Sequence, residues 1–62
     1  MKEPEMHLKL IKEVKGNKIY EVTRSDLTPE NVGMIVAHSP NGKEAPFNSV
    51  EEAENFFEKY AL

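Results

Sequence analysis

The sequence predicts a small α+β domain: an antiparallel sheet of three strands, with material for a short fourth, packed on one face by a C-terminal α-helix. Three observations carry this. Apolar and polar residues alternate from Met6, and strand-favouring types follow a turn at Gly16-Asn17. Asn41-Gly42, the strongest short hairpin signal, marks a second reversal. Ser49-Val50-Glu51-Glu52 then opens a segment whose apolar residues recur at helical spacing.

Residues 1–5 hold three charges and a proline before any pattern begins, and read as a flexible N-terminal tail. Residues 6–62 read as one small domain. In the first strand Met6, Leu8, Leu10 and Val14 share one parity, and His7, Lys9, Glu13 and Lys15 the other. Ile11 and Lys12 break the alternation. The second strand, Lys18 to Arg24, contains Ile19, Tyr20, Val22 and Thr23. A two-residue loop at Gly16-Asn17 pairs Val14 with Ile19. A three-residue loop pairs Val14 with Lys18 and puts Leu8, Leu10 and Val14 on the face of Tyr20 and Val22. The second option collects more apolar residues and is preferred, with Asn17 as the left-handed residue.

Ser25 to Asn31 is the longest polar link. Thr28-Pro29 predicts a single turn of 3₁₀ type that Gly33 ends, with Leu27 pinning the loop to the core. Met34 to Ala37 is apolar on both parities, as in a strand covered on part of both faces. Glu44 to Phe47 returns after Asn41-Gly42, and Pro46, lacking a backbone donor, places it at an edge. In the helix Phe56, Tyr60, Ala53, Phe57, Val50 and Ala61 fall within an arc of about 140°. Acids crowd its first turn and Lys59 sits in its last, as the helix dipole favours.

Composition narrows the function classes. A chain of 62 residues has room for one core, and a domain this small buries only about 60 % of the surface its unfolded chain exposes. The absence of cysteine excludes disulfides, thiolate metal sites and thiol nucleophiles, and fits a reducing, cytoplasmic compartment. No apolar run approaches a membrane span, and no apolar stretch follows the first residues as a secretory signal requires. The two histidines, His7 and His38, lack any paired metal-ligand spacing, so no metal and no cofactor is expected. Ser25, Ser39 and Ser49 each have a turn or cap role, no GxSxG surrounds them, and no catalytic residue is assigned. Asn41-Gly42-Lys43 lacks the spaced glycines of a phosphate loop.

Asn41-Gly42-Lys43 followed by Phe47-Asn48-Ser49-Val50-Glu51-Glu52-Ala53 is similar in outline to the end of the DNA-binding arms of phage integrases. The similarity is a strand–turn–helix pattern over about the last third of the chain. It implies a sheet face that reads DNA, which here would carry Lys9 and Lys15 with Glu13 and Glu21 among them. A net charge of −3 argues against that use.

The preferred register turns Ile11, Ile19 and Ile35 away from the helix. The open face of an antiparallel sheet should be polar, so this trio is the predicted partner-binding site. The function expected from the sequence is a small, non-catalytic intracellular binding or accessory module. It acts through a protein partner or as a homodimer. A nucleic-acid-binding accessory domain comes second and an enzyme a distant third.

Overall fold

A two-residue reversal sets the register of the whole sheet. In the computed structural model, which describes residues 3–62, Lys15 and Gly16 take positive φ of 50° and 83°. Two successive left-handed residues form the turn whose twist matches that of the flanking strands. Val14 and Asn17 close it as partners. The buried Asn17 side chain donates from Nδ2 to the Val14 carbonyl at 3.0 Å. This corrects the three-residue loop: Val14 does not pair with Lys18, and Asn17 holds the turn from outside it.

The elements are β1 (Met6–Val14), β2 (Asn17–Ser25), a 3₁₀ turn at Pro29–Asn31, β3 (Ile35–His38), β4 (Glu44–Phe47) and α1 (Val50–Lys59). The four strands form one antiparallel sheet in the order β1-β2-β3-β4. Gly42, at φ 89°, turns β3 into β4. Pro46 lies on an edge strand, as its missing donor requires. Thr28 precedes the 3₁₀ turn with Pro29 in its first position, but its side chain makes no cap bond to that turn. Leu27 is 79 % exposed and does not pin the loop.

The ladder between β1 and β2 shifts twice. Leu10 opposes Tyr20 and Lys12 opposes Ile19, so Ile11 is an extra residue, a β-bulge. A second shift leaves Thr23 extra between Val22, opposite Leu8, and Arg24, opposite His7. The bulge at Ile11 inverts the parity of β1. Lys12 and Val14 join Ile19 on the helix side, whereas Leu10, Leu8 and Met6 join Tyr20 on the other.

The core follows from this register. Ile19, Ile35 and Ala37 from the sheet meet Ala53 and Phe57 from α1, ringed by Val14, Phe47, Val50, Phe56 and Leu62. Phe57 makes edge-on contacts with Phe56 and Phe47 at centroid distances of 5.4 and 5.9 Å. Two members of the predicted outward trio are therefore core residues. Ile19 is 0 % and Ile35 6 % exposed. Ile11 alone stays at the surface, at the bulge. Leu8, Leu10, Tyr20 and Val22, expected under the helix, lie on the opposite side.

Helix α1 begins where Ser49 Oγ accepts from the Glu52 backbone N–H at 3.1 Å. Glu51 and Glu52 occupy the first turn and Lys59 the last. The helix stops at Tyr60, whose backbone is extended and whose N–H donates to the Phe56 carbonyl at 2.7 Å. Tyr60 and Ala61, placed on the helix face by periodicity, thus lie beyond the helix. Tyr60 still rests its ring 5.3 Å from that of Phe56. Removing the cap oxygen with Ser49→Ala is expected to cost about 1 kcal/mol in a denaturant melt.

Candidate functional site

The two sides of the sheet differ in what covers them. On the helix side α1 packs against β2, β3 and β4. It also takes up two lysines near the β1–β2 turn. Lys12 Nζ pairs with Glu54 Oε1 at 2.7 Å, and Lys15 Nζ donates to the Glu58 carbonyl at 3.3 Å. Lys15, predicted to form part of a basic sheet face, is thereby turned to the helix C-terminal end.

No helix among the described residues covers the other side. Strand alternation and the pairing place Met6, Leu8 and Leu10 of β1, Tyr20 and Val22 of β2, and Val36 of β3 on it. The 3₁₀ turn packs against β2. Beside it the Val22 N–H donates to Met34 and the Val22 carbonyl accepts from Gly33, at 2.9 and 2.8 Å. Val22 is buried there, outside the main core. The rest of the stripe has no such cover: Met6 is 57 % and Leu10 51 % exposed, Leu8 is exposed, and Tyr20 and Val36 are half-buried.

At the hairpin-tip end this face becomes polar. A shallow hollow is lined by Glu13, Lys18, Tyr20, His38, Ser39 and Pro40. The Tyr20 and His38 rings lie 5.0 Å apart, and His38 Nε2 meets Glu44 Oε2 at 3.0 Å. The Ser39 hydroxyl donates to Asn41 Oδ1 and accepts from the Lys43 N–H, so it is engaged in holding the β3–β4 turn. His7 pairs separately with Glu5 at 3.1 Å. Among the described residues no three potential metal ligands converge.

At the far end a polar clamp fixes where β1 starts. The Glu5 N–H donates to Asp26 Oδ2, and the Asp26 N–H donates to the Glu5 carbonyl, both at 2.9 Å. Arg24 Nε meets Asp26 Oδ1 at 2.9 Å, and Arg24 Nη1 meets Glu5 Oε2 at 3.3 Å. The hydrogen bond from Arg24, then that from the Glu5 backbone, hold the Asp26 carboxyl below the usual carboxylate range. These charges are exposed, so the clamp orders the strand more than it stabilises the fold. Glu5 is thus part of the ladder's end. Of the tail expected over residues 1–5, residues 1 and 2 lie outside the described residues.

The predicted site residues are therefore divided. Ile19 and Ile35 come together, but in the core, and Ile11 stands alone. The exposed apolar stripe is instead Met6, Leu8 and Leu10. The signal for it was present in the sequence: the interrupted alternation at Ile11-Lys12 marks the bulge that inverts the strand. No helix among the described residues is long and apolar enough to cross a membrane. Comparisons with protein-family models, with curated proteins and with solved structures find no match.

Proposed function

We propose that this chain is a small, non-catalytic binding or accessory module of the cytoplasm. It acts through a protein partner or through self-association at the uncovered side of its sheet. One observation carries the reading: Met6, Leu8 and Leu10 form an exposed apolar row in a chain that is 31 % charged. Contiguous apolar surface of this kind marks contact sites between proteins. Burying each such side chain contributes about 1.5–3 kcal/mol. The absence of cysteine supports a reducing compartment. The turn and cap duties of Ser39 and Ser49 support a non-catalytic role.

Binding to nucleic acid is the competing reading, and the two respond differently to salt. Phosphate contacts lose affinity steeply as salt rises, whereas apolar contacts do not. The test titrates duplex DNA into the protein at low and high salt and follows self-association in parallel. The expected result is association that persists at high salt, with no DNA complex. In Met6→Lys/Leu10→Lys that association is expected to disappear while the domain stays folded, because both positions are exposed. A DNA complex that dissolves with salt and survives in the double variant would overturn the proposal.

A further inference from the structure

We infer that the partner for this surface is a second copy of the chain, joined edge to edge through β1 about a two-fold axis at Leu8; the inference rests on the interaction reading above. The backbone pattern points there first. The Glu5 carbonyl accepts from the Asp26 N–H, and the His7 carbonyl accepts from Thr23 Oγ1, so the groups of residues 5 and 7 face β2. Val22 bonds to Met34 and Gly33 on its far side, so those of its neighbour Glu21, opposite Lys9, also face β1. Backbone groups alternate in direction along a strand. The N–H and C=O groups of Met6, Leu8 and Leu10 therefore point out of the sheet at its free edge. Among the described residues no loop or side chain bonds to them from outside.

The two edges of the sheet are not equivalent. Strand β4 has four residues and contains Pro46. Pro46 stands opposite Val36, whose backbone groups face β2, so the missing N–H falls on the free edge and blocks pairing there. Strand β1 has nine residues and no proline. A long edge strand with apolar side chains invites pairing with another chain.

The pattern selects a second copy because it is self-complementary. The outward residues 6, 8 and 10 are symmetric about Leu8. An antiparallel pair centred there sets Leu8 against Leu8 and Met6 against Leu10 twice, which makes about six inter-chain backbone hydrogen bonds. The same pairs align the two apolar rows on one face. On the other face His7 meets Lys9. The adjacent registers are worse. Centring on Lys9 places Lys9 against Lys9. Centring on His7 places Leu10 against Pro4, which has no donor. The bulge at Ile11 and the proline at position 4 therefore bound the pairing on both sides. The product is a continuous sheet of twice the four strands.

Amide hydrogen exchange measured over a range of protein concentrations tests this on the unaltered chain. Where half of the chains are paired, exchange at Met6, Leu8 and Leu10 is expected to slow about twofold relative to dilute protein. Two variants test the edge, and the second separates it from the face. Leu8→Pro removes an outward N–H without touching the β1–β2 ladder and is expected to be monomeric. Val36→Lys alters the open face two strands from the edge and is expected to dimerise like the parent. Association that is lost in Val36→Lys, with no concentration-dependent protection at these three amides, would overturn the edge geometry and leave the face as the contact. A chain that stays monomeric throughout would overturn the second-copy inference, whereas the interaction reading itself is overturned by a salt-sensitive DNA complex in the titration above.

Discussion

Phe57→Ala is expected to lower the urea midpoint of this domain far below the parent's. The side chain is 2 % exposed and is the largest fully buried one in the domain. It joins α1 to β4 through Phe47 and closes the cluster over Ile19, Ile35 and Ala37. Truncating a buried phenylalanine costs about 3–5 kcal/mol. A domain of 62 residues has a total stability of roughly 3–9 kcal/mol. One substitution therefore removes much of what holds the fold. Circular dichroism in a urea titration reads the outcome. A midpoint equal to the parent's would show that the helix does not depend on this contact.

Ile19→Lys is expected to be as damaging, while Ile11→Lys leaves stability within about 0.5 kcal/mol. Ile19 is completely buried between Lys12 of β1 and Ala37 of β3. Glu54 of α1, the acid that reaches Ile19's ladder neighbour Lys12, is already paired with that lysine. An ammonium there has no partner, and an uncompensated buried charge costs several kcal/mol. Ile11 sits at the bulge and is 40 % exposed, so a lysine there reaches water. Thermal melts of the two single variants give the comparison. Equal melting of both would place Ile19 on the surface and reverse the two sides of the sheet.

The difference between those two isoleucines shows what could be read before the structure. The elements themselves were legible because each has a local cause. Ser49 caps the helix, Asn41-Gly42 turns the second hairpin, and Pro46 confines its strand to an edge. The small α+β domain with one C-terminal helix follows from them. The sides of the sheet were not legible in the same way. A face assignment is only as good as the register, and a slip of one residue moves every side chain across the sheet. Gly16-Asn17 has the composition of a turn centre, yet Lys15 and Gly16 take the left-handed places and Asn17 bonds the Val14 carbonyl from the first position of β2. Ile11 and Lys12 break the alternation of the sequence. Physically they are the point where β1 changes sides. Leucines at 8 and 10 consequently face outward, and the predicted trio dissolves into two core residues and one bulge residue.

Pairing of two copies at the β1 edge requires that chains associate through apolar and backbone contacts. Sedimentation equilibrium over a wide range of concentration, at low and high salt, measures that directly. The expected weight-average mass rises from the 7.1 kDa of one chain toward twice that value, by the same course at both salt concentrations. A mass that stays at one chain throughout, in both buffers, would contradict self-association.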